Sequence, residues 1–500
     1  MQPVQLGPKP LTRDDVHAVA RGDARVEITE AAREAVTTAR AHIERLATAE
    51  QPTYGISTGF GALAVRHIPP DRRAALQQSL VRSHAAGAGP AVEREVVRAL
   101  VLLRLKTLTS GHTGIRLETA EAMAAMLNAG ITPVVHEFGS LGCSGDLAPL
   151  SAAALALTGE GDVHDADGHL VPAAEALAKA GIQPVRLAEK EGLALINGTD
   201  GMLGMLILAL KDLHYLLDVA DLTAAMSVEA LLGTDRVFAP DLQALRPHPG
   251  QGRSAQRMAE ILRGSEIMAS HRGPDCTRVQ DAYSLRCSPQ VHGAARDTVA
   301  YAETVADREL ASSIDNPVVL ADGRVESNGN FHGAPIAYVL DFLAIPTADV
   351  ASIAERRTDR MLDVNRSHGL PPFLAHDPGV DSGHMIAQYT QAAIVSELKR
   401  LAVPASVDSI PSSAMQEDHV SMGWSAARKL RQSVDGLRRV LAIELLTAAR
   451  ALDLRKPLKP APATAAAVEK LREHVEGPGP DRHLAPEIAA AEDLIRKGVL

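Results

Sequence analysis

The chain holds 500 residues, and its 51 Lys and Arg against 61 Asp and Glu give a formal charge of −10, which argues against a nucleic-acid binder working through a basic face. Its apolar content is carried by Ala and Leu, with only one Trp, six Tyr and six Phe, so helices are favoured over sheets. Cys143, Cys276 and Cys287 form neither a C-x-x-C pair nor a Cys/His metal spacing, so no disulfide framework and no metal centre are expected. The first ten residues lack a basic start leading into an apolar core, so no secretory signal is expected. The most apolar segment, 201–210, is ended by Lys211-Asp212 and is too short to span a bilayer. A soluble, cytoplasmic protein is the expectation.

Residues 11–50 read as short helices: Thr12 and Asp14 can cap the first, and Ile28-Thr29-Glu30 opens the next. Tyr54-Gly55-Ile56-Ser57-Thr58-Gly59-Phe60-Gly61 follows, a glycine-rich loop that suits a lid, although Tyr54 equally suits a ring anchoring a turn. Residues 71–88 carry Leu76, Leu80 and His84 at i, i+4 and i+8, which puts His84 on the apolar face of a helix. A histidine there is ordinarily a satisfied core residue, but the small residues from Ala85 to Gly89 beside it leave room for a ligand. Two helical segments are predicted within 93–128, broken near Gly111-His112-Thr113-Gly114.

The next stretch organises the chain: Gly139-Ser140-Leu141-Gly142-Cys143-Ser144-Gly145-Asp146-Leu147 places three glycines, two serines and a cysteine in seven positions ahead of an apolar run. Glycine frees the backbone to kink. A kinked Cys143-Ser144-Gly145 brings the Gly145 nitrogen towards the Cys143 carbonyl carbon, and ring closure with loss of water, including the Ser144 hydroxyl, leaves an exocyclic methylene. That group is a carbon electrophile, which ordinary side chains do not supply. The same residues also suit a helix entry or an anion cradle, and Cys143 also suits a thiol nucleophile or a small buried residue.

Turn chemistry over 159–186 predicts a small surface hairpin and the place for the few strands. Asn197-Gly198-Thr199 closes a helical stretch as a turn or a plain helix stop. Beyond residue 200 long helices are predicted near 201–232, 290–311, 335–363, 381–402 and 423–453, the last striped by Leu430, Val434, Leu437, Leu441 and Leu445. An Arg/Pro-rich stretch, 455–482, precedes a final helix at 485–498. The fold class expected is mainly α: a long-helix bundle over 201–500, with a smaller N-terminal domain over 1–200 that carries the Tyr54 loop, the glycine-rich loop and few short strands.

Polar strings interrupt the helical half. On a helical turn Gln280, Tyr283 and Arg286 share a face, and the planar fork of Arg286 suits a carboxylate, with an ion pair to Asp281 or Asp275 as the alternative. Asp315-Asn316-Pro317, Asn330-Phe331-His332 and Gln416-Glu417-Asp418-His419 follow, and the last also suits acids that cap a helix.

These strings, in this order and spanning 54 to 422, resemble the aromatic amino acid ammonia-lyases and aminomutases, whose Ala-Ser-Gly triplet forms 4-methylidene-imidazol-5-one (MIO). The departures here are Cys143 for Ala, Ser57 for Asn, Met415 for Asn and His384 where Phe is frequent. Only the backbone of residue 143 enters the ring, so Cys143 is compatible with it, while Met415 and His384 bear on the pocket. The resemblance implies MIO built from Cys143, Ser144 and Gly145 with no external cofactor, and a mostly helical homotetramer whose active sites combine residues of different subunits. It also implies Tyr54, Tyr283 and Glu417 as catalytic groups competing for the base role, with Tyr54 the candidate base or proton shuttle. Arg286 and Asn197 would hold the carboxylate, Gln280, Asn316 and Gln416 would support the substrate, Phe331 would pack beneath its ring, and Asp146 would assist cyclisation.

Phenylalanine and tyrosine members usually carry Gln-Asp where this chain has Gln416-Glu417-Asp418-His419. A carboxylate at Glu417 facing a phenyl ring would be desolvated without a partner. Facing an imidazole it gains one, and His84 serves the other side of the ring. The resemblance is therefore to the histidine-acting members, and it implies elimination of ammonia from L-histidine to give trans-urocanate, in histidine degradation. A tyrosine or phenylalanine lyase, an aminomutase, or a non-catalytic helical scaffold are the alternatives.

Overall fold

A computed structural model describes residues 2–49, 53, 55–59, 66–273, 276 and 279–500. They form two compact units, one from Met1–Leu208, Glu303–Leu340 and Pro404–Arg428, the other from Ala209–Ala302, Asp341–Val403 and Lys429–Leu500. The chain first crosses near the boundary expected at 200, but the expected second domain, 201–500, is divided. Residues 303–340 and 404–428 return to the first unit, carried by the long helices Ser288–Leu310, Ala334–Leu362 and Gly423–Asp453, each with residues in both units.

The first unit holds the short strands. Val4–Leu6 pairs in parallel with Val26–Ile28, Ala88–Ala91 pairs antiparallel with His136–Phe138, and Val318–Val319 with Val325–Glu326. The predicted hairpin is present as Asp162–His164 and Leu170–Pro172, extended by Thr132–Pro133 into three strands. Thr12 caps Arg13–Ala20 through a capping box in which its Oγ1 accepts from the Asp15 amide, while the Asp15 carboxylate accepts from the Thr12 amide at 2.8 Å. Arg94–Leu108 carries Val, Leu and Ala on several faces and is buried along nearly its whole length. Each fully buried Leu on it contributes roughly 2 kcal/mol. Arg98 and Arg104 are buried with it, Arg98 donating to the Val19 and Leu127 carbonyls.

The second unit contains most of the long-helix residues. The predicted stripe Leu430, Val434, Leu437, Leu441 and Leu445 is entirely buried. Pro462–Arg472 forms a helix inside the Arg/Pro-rich stretch 455–482, with Pro462 at its first position, where a missing N–H costs nothing. Ala334–Leu362 is long and apolar enough to cross a membrane by length and composition, but most of its apolar window is buried inside the fold.

Candidate active site

The glycine-rich loop sits in the first unit between strand His136–Phe138 and helix Leu147–Leu157. Gly142, Ser144 and Gly145 all take left-handed backbone, at φ 70°, 54° and 79°. For Ser144 that costs roughly 1–2 kcal/mol, so neighbouring groups must impose the turn. The Gly142 carbonyl accepts from the Gly333 amide at 2.9 Å and from Ser421 Oγ at 2.7 Å, and the Met422 amide donates to the Leu141 carbonyl at 2.9 Å. The Asp146 amide donates to the Gly198 carbonyl at 2.7 Å. Gly145 passes so close to Gly198 that a Cβ at 145 would lie 2.1 Å from the Gly198 oxygen.

Asp146 is completely buried. Its Oδ1 accepts from Ser140 Oγ at 2.8 Å, and its Oδ2 accepts from the Gly201 and Met202 amides at 2.9 and 3.0 Å, at the start of helix Asp200–Ala230. Burial outweighs those bonds and pushes its pKa up to about 7.

Glu417 reaches this loop from a short hairpin. The Ser412 amide donates to the Glu417 carbonyl at 2.9 Å and the Glu417 amide returns to Ser412 at 3.3 Å, around three consecutive left-handed residues, Ser413, Ala414 and Met415. Glu417 Oε1 accepts from Ser144 Oγ at 3.3 Å, and Oε2 accepts from Cys143 Sγ at 3.3 Å and Ser412 Oγ at 3.4 Å. Burial, reinforced by the negative charge of Glu417, pushes the Cys143 thiol up to about 12. It stays protonated, which removes the alternative of Cys143 as a thiolate nucleophile.

His84 ends helix Arg73–His84 half-buried, with Ser83 Oγ 3.0 Å from its Nδ1. Burial lowers its pKa against the opposing charge of Glu417, so the ring favours its neutral form. Asn197 is buried, and its amide donates to the Asn316 carbonyl at 3.1 Å. Asn316 Oδ1 in turn accepts from Ser327 Oγ and the Asn328 amide at 3.0 and 3.1 Å. Phe331 is half-buried, two residues before the Gly333 amide that bonds Gly142. Gln416 is exposed beside Glu417.

Gln280, Tyr283 and Arg286 belong to the second unit. Tyr283–Arg286 is a single helical turn with Gln280 ahead of it, and the Arg286 guanidinium stacks 4.6 Å over the Tyr283 ring. Arg286 Nε is buried without a hydrogen bond, and Asp281, offered above as its ion-pair partner, accepts from the Thr234 amide at 2.7 Å. His384 is interior to this unit, with Nδ1 3.2 Å from Thr447 Oγ1; burial, aided by Arg450 and other arginines, lowers its pKa to about 3. Met415 is exposed on the Glu417 hairpin. Tyr54 lies outside the described residues.

Sequence reasoning missed the groups that hold Asn197. Fully buried Arg104 donates to the Asn197 carbonyl and, at 2.7 Å, to the Ile314 carbonyl, and lies 3.5 Å from Asp200. Buried Lys190 donates to Asp315 at 2.5 Å, next to Asn316. An arginine inside the apolar run Val101–Leu105 was the one signal available.

A family model of aromatic amino acid lyases matches residues 11–473. The chain is 67% identical over 501 residues to a histidine ammonia-lyase of Streptomyces avermitilis, with 100% of this chain and 98% of that protein covered. Among solved structures it is similar to a tyrosine aminomutase from Streptomyces globisporus (TM-score 0.94, 38% identity, 99% and 97% covered). It is also similar to a histidine ammonia-lyase from Trypanosoma cruzi (TM-score 0.91, 38% identity, 100% and 94% covered).

Proposed function

The chain belongs to the aromatic amino acid lyase family, and from that premise we propose that it is a histidine ammonia-lyase, a carbon–nitrogen lyase that eliminates ammonia from L-histidine without oxidation and releases trans-urocanate. The observation that carries the substrate is the Glu417 carboxylate against Cys143 and Ser144. Opposite a phenyl ring it would lose solvation for no partner, at a cost of a few kcal/mol. An imidazole N–H repays it, and the neutral His84 offers a polar group for the second ring nitrogen. A phenylalanine lyase has no corresponding use for Glu417.

Cys143-Ser144-Gly145 is read as the source of MIO. The Gly145 nitrogen attacks the Cys143 carbonyl carbon, and two waters leave, one taking that carbonyl oxygen and the other the Ser144 hydroxyl with its α-hydrogen. Three features support the fit: the left-handed Ser144, the absence of space for a Cβ at 145, and the Asp146 carboxyl with a pKa near 7, suited to taking and returning a proton. Once formed, the group supplies a carbon electrophile for the substrate's α-amino nitrogen.

The side chains then bind and orient. Arg286, whose Nε is unpaired, is assigned to the substrate carboxylate, with Asn197 as its second holder, fixed through Arg104. Gln280, Asn316 and Gln416 support the substrate through polar contacts, and Phe331 packs beneath its ring. The β-proton goes to Tyr54, with Tyr283 and Glu417 as the competing bases. The working form is a soluble, cytoplasmic homotetramer with active sites shared between subunits.

The test is product formation from L-histidine, L-tyrosine and L-phenylalanine in parallel. Urocanate and ammonia from histidine alone are expected; turnover of an aromatic substrate instead would overturn the roles of His84 and Glu417. Ser144→Ala is expected to lose the near-ultraviolet MIO band and at least about a thousandfold in turnover.

A further inference from the structure

Glu417 meets two donors with different fates. Ser144 Oγ occupies Oε1 at 3.3 Å and Cys143 Sγ occupies Oε2 at 3.3 Å, where Ser412 Oγ adds a longer contact at 3.4 Å. The inference rests on the reading that Cys143-Ser144-Gly145 cyclises and that L-histidine is the substrate. Cyclisation expels the Ser144 hydroxyl as water but consumes only the backbone of residue 143, so the thiol survives it. We propose that Cys143 is a positioning residue: its S–H holds Glu417 by Oε2, so that Oε1, vacated by the Ser144 hydroxyl, accepts the imidazole N–H of the substrate.

A methyl group at position 143 has no donor, and Glu417 Oε2 would then keep only the longer Ser412 contact. The thiol suits the task because burial and the neighbouring carboxylate hold its proton up to about pH 12. A terminal carboxylate torsion is otherwise broad, and fixing one oxygen in advance reduces the freedom lost when a ligand is accepted by the other. In the uncyclised chain both oxygens are engaged, so the ring-recognising acceptor is unmasked by the same dehydration that completes the electrophile.

The experiment uses full-length Cys143→Ala and Cys143→Ser, each alone and in a Glu417→Ala background. The probe is imidazole propionate, a saturated analogue without an α-amino group that cannot eliminate, and its dissociation constant is read by calorimetry. Cys143→Ser, which keeps a donor, is expected to bind within about twofold of the unchanged protein, and Cys143→Ala about tenfold more weakly. KM for L-histidine should rise by the same factor in Cys143→Ala while kcat changes less than about twofold. In the Glu417→Ala background Cys143→Ala should add nothing. Equal dissociation constants for Cys143→Ala and the unchanged protein would overturn the proposal, and so would a loss that persists without the Glu417 carboxylate. The unchanged protein reports on the underlying reading separately. If it neither binds the analogue nor turns over histidine, both readings fall; if it does both while Cys143→Ala is indifferent, only the proposal falls.

Discussion

The first unit buries Arg104, Lys190, Asp200 and Asp315 around Asn197, and the second buries Asp221, His292, Arg357 and Glu444 among its long helices. In the second, Glu444 takes two nitrogens of Arg357 and also accepts from Thr223 and Ser227 hydroxyls at 2.7 and 2.8 Å. Burial pushes Asp221 up, yet His292 and Arg296 together hold it below the usual carboxylate range. In the first, Asp200 Oδ2 makes no hydrogen bond, and burial leaves Asp146, Asp200, Glu309 and Asp315 all raised. The Arg357–Glu444 pair is hydrogen-bonded throughout, with only His292 Nε2 and Arg296 Nη1 beside it lacking partners; behind the candidate site both a donor, Arg104 Nε, and an acceptor, Asp200 Oδ2, are buried without one. That is the pattern expected where geometry serves chemistry before stability.

The largest effect is expected at the satisfied pair. Glu444→Ala strands Arg357 in the interior and should cost about 3–5 kcal/mol in urea unfolding. Arg104→Met removes a cation from a network already unbalanced, so about 1–3 kcal/mol is expected. Its kcat/KM for L-histidine should nonetheless fall about 10- to 100-fold as Asn197 loosens. A larger stability loss at Arg104 than at Glu444 would reverse the contrast.

Two buried groups, Asp146 in the first unit and His384 in the second, titrate in opposite directions. Folding raises Asp146 from 3.8 to about 7, so the folded state holds a proton that the unfolded chain has released, and this term loses stability as pH rises through that window. Folding lowers His384 from 6.5 to about 3, so the unfolded chain binds the extra proton and this term loses stability as pH falls through that window. Relative to the unchanged chain, Asp146→Asn should gain stability from about pH 4 to 7 and His384→Phe from about pH 6.5 down to 3, each by at most about 1.4 kcal/mol per pH unit. Stability–pH curves of the three proteins check the signs. The smallest effect is Ala414→Gly, which should raise stability by about 0.5–1 kcal/mol by relieving a left-handed alanine. No gain there would mean that the hairpin bearing Glu417 carries no relievable strain.

Local signals reached far into this fold. Helix periodicity located the long helices, Thr12 marked a cap, and turn residues near 165 marked a hairpin. The candidate-site strings were legible because each is contiguous, and Cys143, Ser144 and Glu417 do meet. What failed was long-range: Arg104 and Asn197 are far apart in the chain, and no spacing rule joins them. The divided second domain was hidden for the same reason, since a long helix carries no mark of the unit in which it ends. Pro462–Arg472 went unassigned within the Arg/Pro-rich stretch, although Pro462 stands at the first helical position, where proline is favoured.

The close passage of Gly145 over Gly198 has a consequence for how such a chain can change over generations. A side chain at 145 would run into the Gly198 backbone, and one at 198 would meet Asp200 and Arg104 at 2.2 and 2.5 Å. Position 145 is closed to a side chain by backbone, whereas at 198 the obstacles are the ends of the Asp200 and Arg104 side chains, which would have to move. Any change of residue at 145 therefore requires the Gly198 backbone to shift with it, so the two segments are tied to each other in what they can become.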